Sequence, residues 1–215
     1  MITKIIHEDK IQKAHKYIEK GESFVIVTHV SPDGDAIGSA LGLFHFLNAY
    51  GKENVSVIVP NDYPNFLKWM PGTKDVTIYE KYPEFSEQLI SDADVIFCLD
   101  FNDPKRIEKL ADPVLKSEAR KVLIDHHLHP VEFCNVTMSY PNISSTSEMV
   151  FRFICRMGLF DLIDKNAAEC IYTGMMTDTG AFTYNSNHPE IYTIIGELIK
   201  LGIDKDLIYR RINQV

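Results

Sequence analysis

The chain has 215 residues, 45% of them hydrophobic and 24% charged, which is the make-up of a folded protein of one domain or slightly more and excludes whole-chain disorder. A net charge of −8 excludes binding driven by a basic surface, whether to duplex nucleic acid or to an anionic membrane. No apolar run approaches the ~18 residues of a membrane span, and the N-terminus MITKIIHEDKIQ lacks the apolar core of a secretory signal, so a cytoplasmic protein is expected.

In chain order, Ile11, Ala14, His15 and Ile18 recur at helical spacing and Gly21 stands where that helix stops. SFVIVTHV (23–30) is a β-branched run that predicts a buried strand. The loop SPDGDAIGS follows, and then a helix from about Ala36 to Tyr50. NVSVIVP (54–60), DVIFCLD (94–100) and KVLID (121–125) predict three more strands, with helices near 82–91 and 103–119. Ser145 and Glu148 have capping-box spacing ahead of a helical face formed by Met149, Val150, Phe153 and Ile154. Further helices are expected near 165–177, 189–201 and 204–213. Strands alternating with helices imply an α/β fold, Rossmann-like, with a mostly parallel sheet flanked by helices. Of the four cysteines, Cys98, Cys155 and Cys170 lie in apolar segments and no CxxC pair occurs, so reduced core thiols are expected rather than a disulfide framework.

The chemistry sits at strand ends. The first strand ends at His29 and its loop supplies Asp33 and Asp35; another ends at Asp100; a third ends Asp125-His126-His127. Ligands of open parallel sheets bind outside the carboxyl ends of the strands, so these residues should converge. Asp178, at the end of a predicted helix, is a further candidate. Several carboxylates in one crevice repel one another, and divalent cations resolve that conflict. Mixed Asp and His donors suit Mn²⁺, Co²⁺, Fe²⁺ or Zn²⁺ better than Mg²⁺ alone. The set is too large for one ion and right for two, with Asp100 the natural bridge; such a pair can share a hydroxide nucleophile and clamp a phosphoryl group. Each residue also has an ordinary use: Asp33-Gly34 as a turn, Asp35 as a helix cap, Asp100 as a strand end, Asp178 as a turn residue before Gly180. His129 is read as solvated and given no role. The agreement of three strand ends favours the chemical reading.

Four segments carry a family resemblance. HVSPDGDAIGSALGL (29–43), VIFCLD (95–100), LIDHH (123–127) and TGMMTDTGAF (173–182) resemble, in order, the motifs of the DHH phosphoesterase family. The resemblance implies His29, Asp33 and Asp100 as ligands of one metal, and Asp35, Asp100, His126 and Asp178 as ligands of a second. It implies His127 as the histidine facing the phosphate and Asp125 as the carboxylate that orients an imidazole. The usual family metal is Mn²⁺, with Co²⁺ or Mg²⁺ as alternatives. Within the family the chain resembles the small bacterial type that acts on short RNA oligomers and 3'-phosphoadenosine 5'-phosphate; related members cleave linear dinucleotides. The expected partner is therefore a small phosphorylated substrate (short RNA, dinucleotide, nucleotide 3',5'-bisphosphate or polyphosphate), and homodimers are common in the family. A manganese pyrophosphatase or exopolyphosphatase is the nearest rival. A non-catalytic nucleotide-binding module is the rival from another class, and the complete ligand set argues against it. Enzymes of this type carry a C-terminal substrate domain with a Gly-rich GGGH-like motif, which this sequence lacks. The expected division is a catalytic domain over 1–200 and, over 201–215, the start of a linker helix toward that domain, the catalytic domain alone being weakly active.

Overall fold

The structure, a computed structural model, describes residues 2–214, so Val215 of the expected linker segment lies outside the described residues. Six strands, β1 (Ser23–Val27), β2 (Asn54–Val59), β3 (Val76–Ile78), β4 (Val95–Leu99), β5 (Arg120–Asp125) and β6 (Val136–Ser139), form one sheet in the order β3-β2-β1-β4-β5-β6. Every neighbouring pair is parallel. The chain order reverses between β1 and β4, and their carboxyl ends flank the crevice that such a switch point opens.

An all-parallel sheet must be covered on both faces, which is why its central strands are apolar throughout rather than alternating. Phe24, Ile26, Phe97, Leu99, Val122 and Ile124 point into one core, under α1 (Glu8–Lys20), α2 (Gly34–Ala49), α5 (Thr146–Arg156) and α6 (Lys165–Asp178). Val25, Val27, Ile96, Cys98 and Leu123 point into the other, under α3 (Pro83–Ser91) and α4 (Ala111–Lys116). The last helices, α7 (Pro189–Lys200) and α8 (Lys205–Asn213), pack on α6. The boundary expected at residue 200 falls at the turn before α8, and α8 buries Ile208 in the first core. All four cysteines are free, with Cys98 and Cys170 buried. Among the described residues no helix is long and apolar enough to cross a membrane.

Several boundaries differ from the sequence expectation, for identifiable reasons. The first strand ends at Val27, so Thr28, His29 and Val30 belong to the loop. The following helix begins at Gly34 rather than Ala36, because Asp33 is its cap: its Oδ1 accepts from the amides of Asp35 and Ala36, 3.0 Å each. The cap read onto Asp35 therefore belongs to Asp33, and Asp35 lies inside the first turn. The expected helix over 103–119 is a 3₁₀ segment, Pro104–Leu110, followed by the short α4; Glu108 breaks it with a φ of 47°. The short edge strands β3 and β6 carry too few residues to show a period and were not expected.

One contact sets the spacing of the functional elements. Gly34, Gly38 and Gly42 recur every four residues on the face of α2 that meets α6. A Cβ on Gly38 would stand 2.6 Å from the Cys170 carbonyl oxygen and 2.8 Å from the Gly174 nitrogen, so the two backbones touch. The DGDAIGSALG run thus brings Asp35, on the first turn of α2, close to Asp178, at the end of α6.

Candidate metal centre

The three strand ends deliver their residues to one crevice. His29 lies two residues beyond β1, Asp100 follows β4 directly, and Asp125 is the last residue of β5, with His126 and His127 next. Asp100 adopts a left-handed backbone, φ 64°, a conformation that Asp tolerates better than most residues and that turns its carboxylate across the crevice. Its amide still donates to the Ile124 carbonyl, 3.1 Å away, so the strand end is anchored while the side chain turns.

The two oxygens of Asp100 face two separate groups. Asp100 Oδ2 is 3.3 Å from His29 Nε2, which is 3.8 Å from Asp33 Oδ1. Asp100 Oδ1 is 3.6 Å from His126 Nε2, which in turn lies 3.4 Å from Asp178 Oδ2 and 3.7 Å from Asp35 Oδ2. Donor atoms of His29, Asp33 and Asp100 all fall within 4.8 Å of one another, and so do those of Asp35, His126 and Asp178.

Each imidazole is pinned through Nδ1. His29 Nδ1 meets the Val30 carbonyl at 2.8 Å and His126 Nδ1 meets the Ile143 carbonyl at 3.3 Å. Those acceptors take the Nδ1 proton and leave Nε2 turned to the carboxylates, where a bound cation could take the place of its proton. His127 Nδ1 sits 2.6 Å from Oδ1 of the fully buried Asp125, whose Oδ2 accepts from the His127 amide at 3.0 Å. His127 thereby presents its own Nε2.

A missed set of residues braces the carboxylates from behind. The Thr146 amide donates to Asp35 Oδ2 at 2.7 Å and the Ser147 amide to Asp35 Oδ1 at 2.8 Å, so the first turn of α5 cradles a buried carboxylate. The Thr146 hydroxyl donates to Asp100 Oδ1 at 2.9 Å. One residue thus ties both carboxylates to one helix end. The Ser145/Glu148 spacing located that helix, and the Ser145 hydroxyl does accept from the Glu148 amide at 3.0 Å. The Glu148 carboxylate turns instead to Ser144 and Arg152. Nothing in the spacing says which carboxylate the free amides of the first turn will meet.

The charge balance of the centre is unfavourable as it stands. Burial, with Asp100 and Asp178 alongside, holds the Asp35 carboxyl well above the ordinary range. Burial also raises Asp178; His126 pulls against it, Asp100 and Asp33 push it further, and it stands at about 6. Asp178 is moreover the last residue of α6, the end of a helix that disfavours an anion. Burial opposes the charged form of His29, but Asp100 and Asp33 outweigh it and hold that imidazole up to about 10. Asp125 raises His127 against the effect of burial. Bound cations would relieve all the carboxylate repulsion at once.

A pH dependence follows for the metal-free protein. Asp178 holds its proton to a higher pH folded than unfolded, so the unfolded state sheds protons first and stability falls as pH rises from about 4 to about 6. The raised imidazoles add no slope there, since they are charged in both states below about 6. In chelator, Tm of the wild type should fall across this window relative to that of Asp178→Asn. Parallel profiles would contradict the assignment.

The model of the DHH family, N-terminal domain, matches residues 23–175. The chain belongs to the DHH family. Its DHH segment is the Asp125-His126-His127 strand end, and the match takes in every centre residue except Asp178. The chain is 35% identical, over 83% of its length, to the Thermus thermophilus bifunctional oligoribonuclease and PAP phosphatase NrnA, and covers 50% of that protein. It thus spans about half the length of the curated relatives it matches. The crystal structure of an exopolyphosphatase-related protein from Bacteroides fragilis superposes on the whole chain with a TM-score of 0.98 at 59% identity, the chain covering 63% of that protein. Manganese-bound exonuclease RecJ shares the fold, with a TM-score of 0.53 at 14% identity over 90% of this chain and 47% of its own. The α/β architecture read from the sequence is therefore that of the DHH domain.

Proposed function

We propose that this DHH domain holds two divalent cations, with manganese the preferred ion, and hydrolyses phosphate esters of short oligonucleotides, dinucleotides or 3'-phosphoadenosine 5'-phosphate. His29, Asp33 and Asp100 would hold one ion, and Asp35, Asp100, His126 and Asp178 the other. The observation that carries the reading is Asp100, whose two oxygens face two groups of imidazole and carboxylate donors. That donor set fits the ions, because its excess negative charge and its lone pairs are what a pair of divalent cations takes up. When bound, such a pair supplies charge to phosphate oxygens and lowers the pKa of a water held with it.

The chain's own residues do the rest. Asp125 keeps the Nδ1 proton of His127 in place and raises its basicity, so that near neutrality Nε2 can donate to a phosphate oxygen or to the leaving group. Thr146 and the first turn of α5 keep the Asp35 and Asp100 oxygens facing inward. Asp125→Asn should lower kcat about 10–100-fold, the usual cost of losing a partner that orients an imidazole, with metal content unchanged. Loss of metal from that variant would instead make Asp125 part of the binding set. Thr146→Val keeps the amide and removes the hydroxyl, so it should weaken metal affinity about tenfold. Thr146→Ser should restore it, and calorimetric titration reads both; equal affinity in Thr146→Val would remove the brace from the account.

Support for the nucleotide substrate comes from the likeness to the Thermus thermophilus protein. Support for a second reading, cleavage of inorganic polyphosphate, comes from the Bacteroides fragilis structure described as exopolyphosphatase-related. Assays of the manganese-loaded chain on dinucleotides, 3'-phosphoadenosine 5'-phosphate, pyrophosphate and polyphosphate separate them. Turnover of the nucleotides above the inorganic substrates is expected, and the reverse order would replace the first reading by the second.

A further inference from the structure

Two cavities flank the centre, and their linings differ in kind. On the Asp33 side, a cavity of about 890 Å³ shares Asp33 with the centre and is walled by Pro32, Tyr63, Phe66, Met176 and Tyr209. Among the described residues, Asp33 and Asp62 are the only charged ones that line it, and no cation does. Asp62 is itself neutralised from outside by Lys68 and Lys81, each at 3.0 Å. On the His126 side, a cavity of about 440 Å³ is lined by Asn142, Ser144, Asn185, Asn187 and His188. A phosphate would find no basic side chain in the first cavity, whose uncharged polar side chains besides the tyrosines are Ser31, Thr177 and Asn213. A planar uncharged ring would find Phe66 and Tyr209 there, backed by Tyr63, the kind of platform on which a base stacks.

The aromatic wall is built rather than incidental. Tyr63 is 7% exposed; its hydroxyl donates to the Thr73 carbonyl at 3.4 Å, and the Lys68 ammonium lies 5.5 Å from its ring centroid. Tyr209, on α8, is 45% exposed. Its helix packs on the 3₁₀ segment Asn65–Leu67 that carries Phe66, so the two walls meet and close one end of the cavity. The volume lies in the range of small-molecule sites.

We infer that the Asp33-side cavity is a nucleobase subsite: a nucleotide lies with its phosphate at the centre and its base against Phe66 and Tyr209, with the buried Tyr63 backing them, leaving the amide-lined cavity to whatever the phosphate carries on its other ester bond. The inference rests on the phosphoesterase reading above. It makes the base, and not only the phosphate, a source of affinity, and it assigns to α8 a wall of the substrate site.

The test compares adenosine 5'-monophosphate with ribose 5-phosphate, titrated calorimetrically into the manganese-loaded chain. Stacking on an aromatic side chain predicts that the nucleotide binds at least roughly tenfold more tightly than the sugar phosphate. Tyr209→Ala, a change at a half-exposed position, should weaken nucleotide binding at least about fivefold and bring it toward that of the sugar phosphate. Tyr209→Phe, which keeps the ring, should retain wild-type affinity. Equal affinity of the wild type for both ligands, or wild-type nucleotide affinity in Tyr209→Ala, would overturn the subsite while leaving the centre in place. Failure of both ligands to bind would overturn the phosphoesterase reading and the subsite with it.

Discussion

Asp100→Asn is expected to keep the fold and lose the centre. Asparagine is the side chain that best replaces aspartate at a φ of 64°, and its amide oxygen can still accept from the Thr146 hydroxyl. The backbone bond from residue 100 to Ile124 is untouched. What disappears is the second anionic oxygen, so one residue can no longer serve both the His29 group and the His126 group. Bound manganese should fall from two ions per chain to one or none. Hydrolysis should drop at least about 100-fold, the upper end of what changes behind a ligand cost. Circular dichroism should match the wild type. A variant that keeps both ions, or keeps its activity, would remove Asp100 from the bridging position.

Gly174→Ala should act through packing and reach the centre from behind. A Cβ there would overlap the Ser147 side chain and stand 3.0 Å from Asp35 Oδ1. Gly174 lies within α6 where that helix touches α2, and its nitrogen would stand 2.8 Å from a Cβ on Gly38. Neither neighbour can retreat freely, because Ser147 is in the first turn of α5 and its amide holds Asp35. Inserting one methyl into so close a contact costs about 1–3 kcal/mol, and here it also displaces a carboxylate of the centre. Chemical denaturation should show a loss in that range, together with weakened metal binding. A loss of stability with unchanged metal affinity would mean that α2 and α6 can part without moving Asp35.

The two variants together show why so much of this protein is legible in its sequence. Long-range convergence was readable because a parallel sheet forces it: once His29, Asp100 and Asp125 end their strands, the topology leaves them one edge to share. The helices with clear starts and stops were readable too, α1 with Gly21 after it and α5 after Ser145. What escaped depends on partners distant in the chain. The brace from Thr146 and Ser147 is 111 and 112 residues from Asp35, and no local pattern marks it. The break at Glu108 is a backbone choice that helical periodicity overrides on paper. Asp33 was placed as a ligand candidate but not as the cap of α2, and the structure gives it the cap and a place beside His29 together. The close approach of Gly38 to Gly174 was not legible either, since it joins two positions without side chains on helices far apart in the chain.

In the proposed centre a pair of cations shares Asp100. Metal content, measured by mass spectrometry after gentle purification with Mn²⁺ present and compared with that of His126→Ala, tests it most directly. The predicted result is two ions per chain, falling in the variant because His126 Nε2 faces Asp35, Asp100 and Asp178 at once. No bound ion in either protein, or the same content in both, would contradict it.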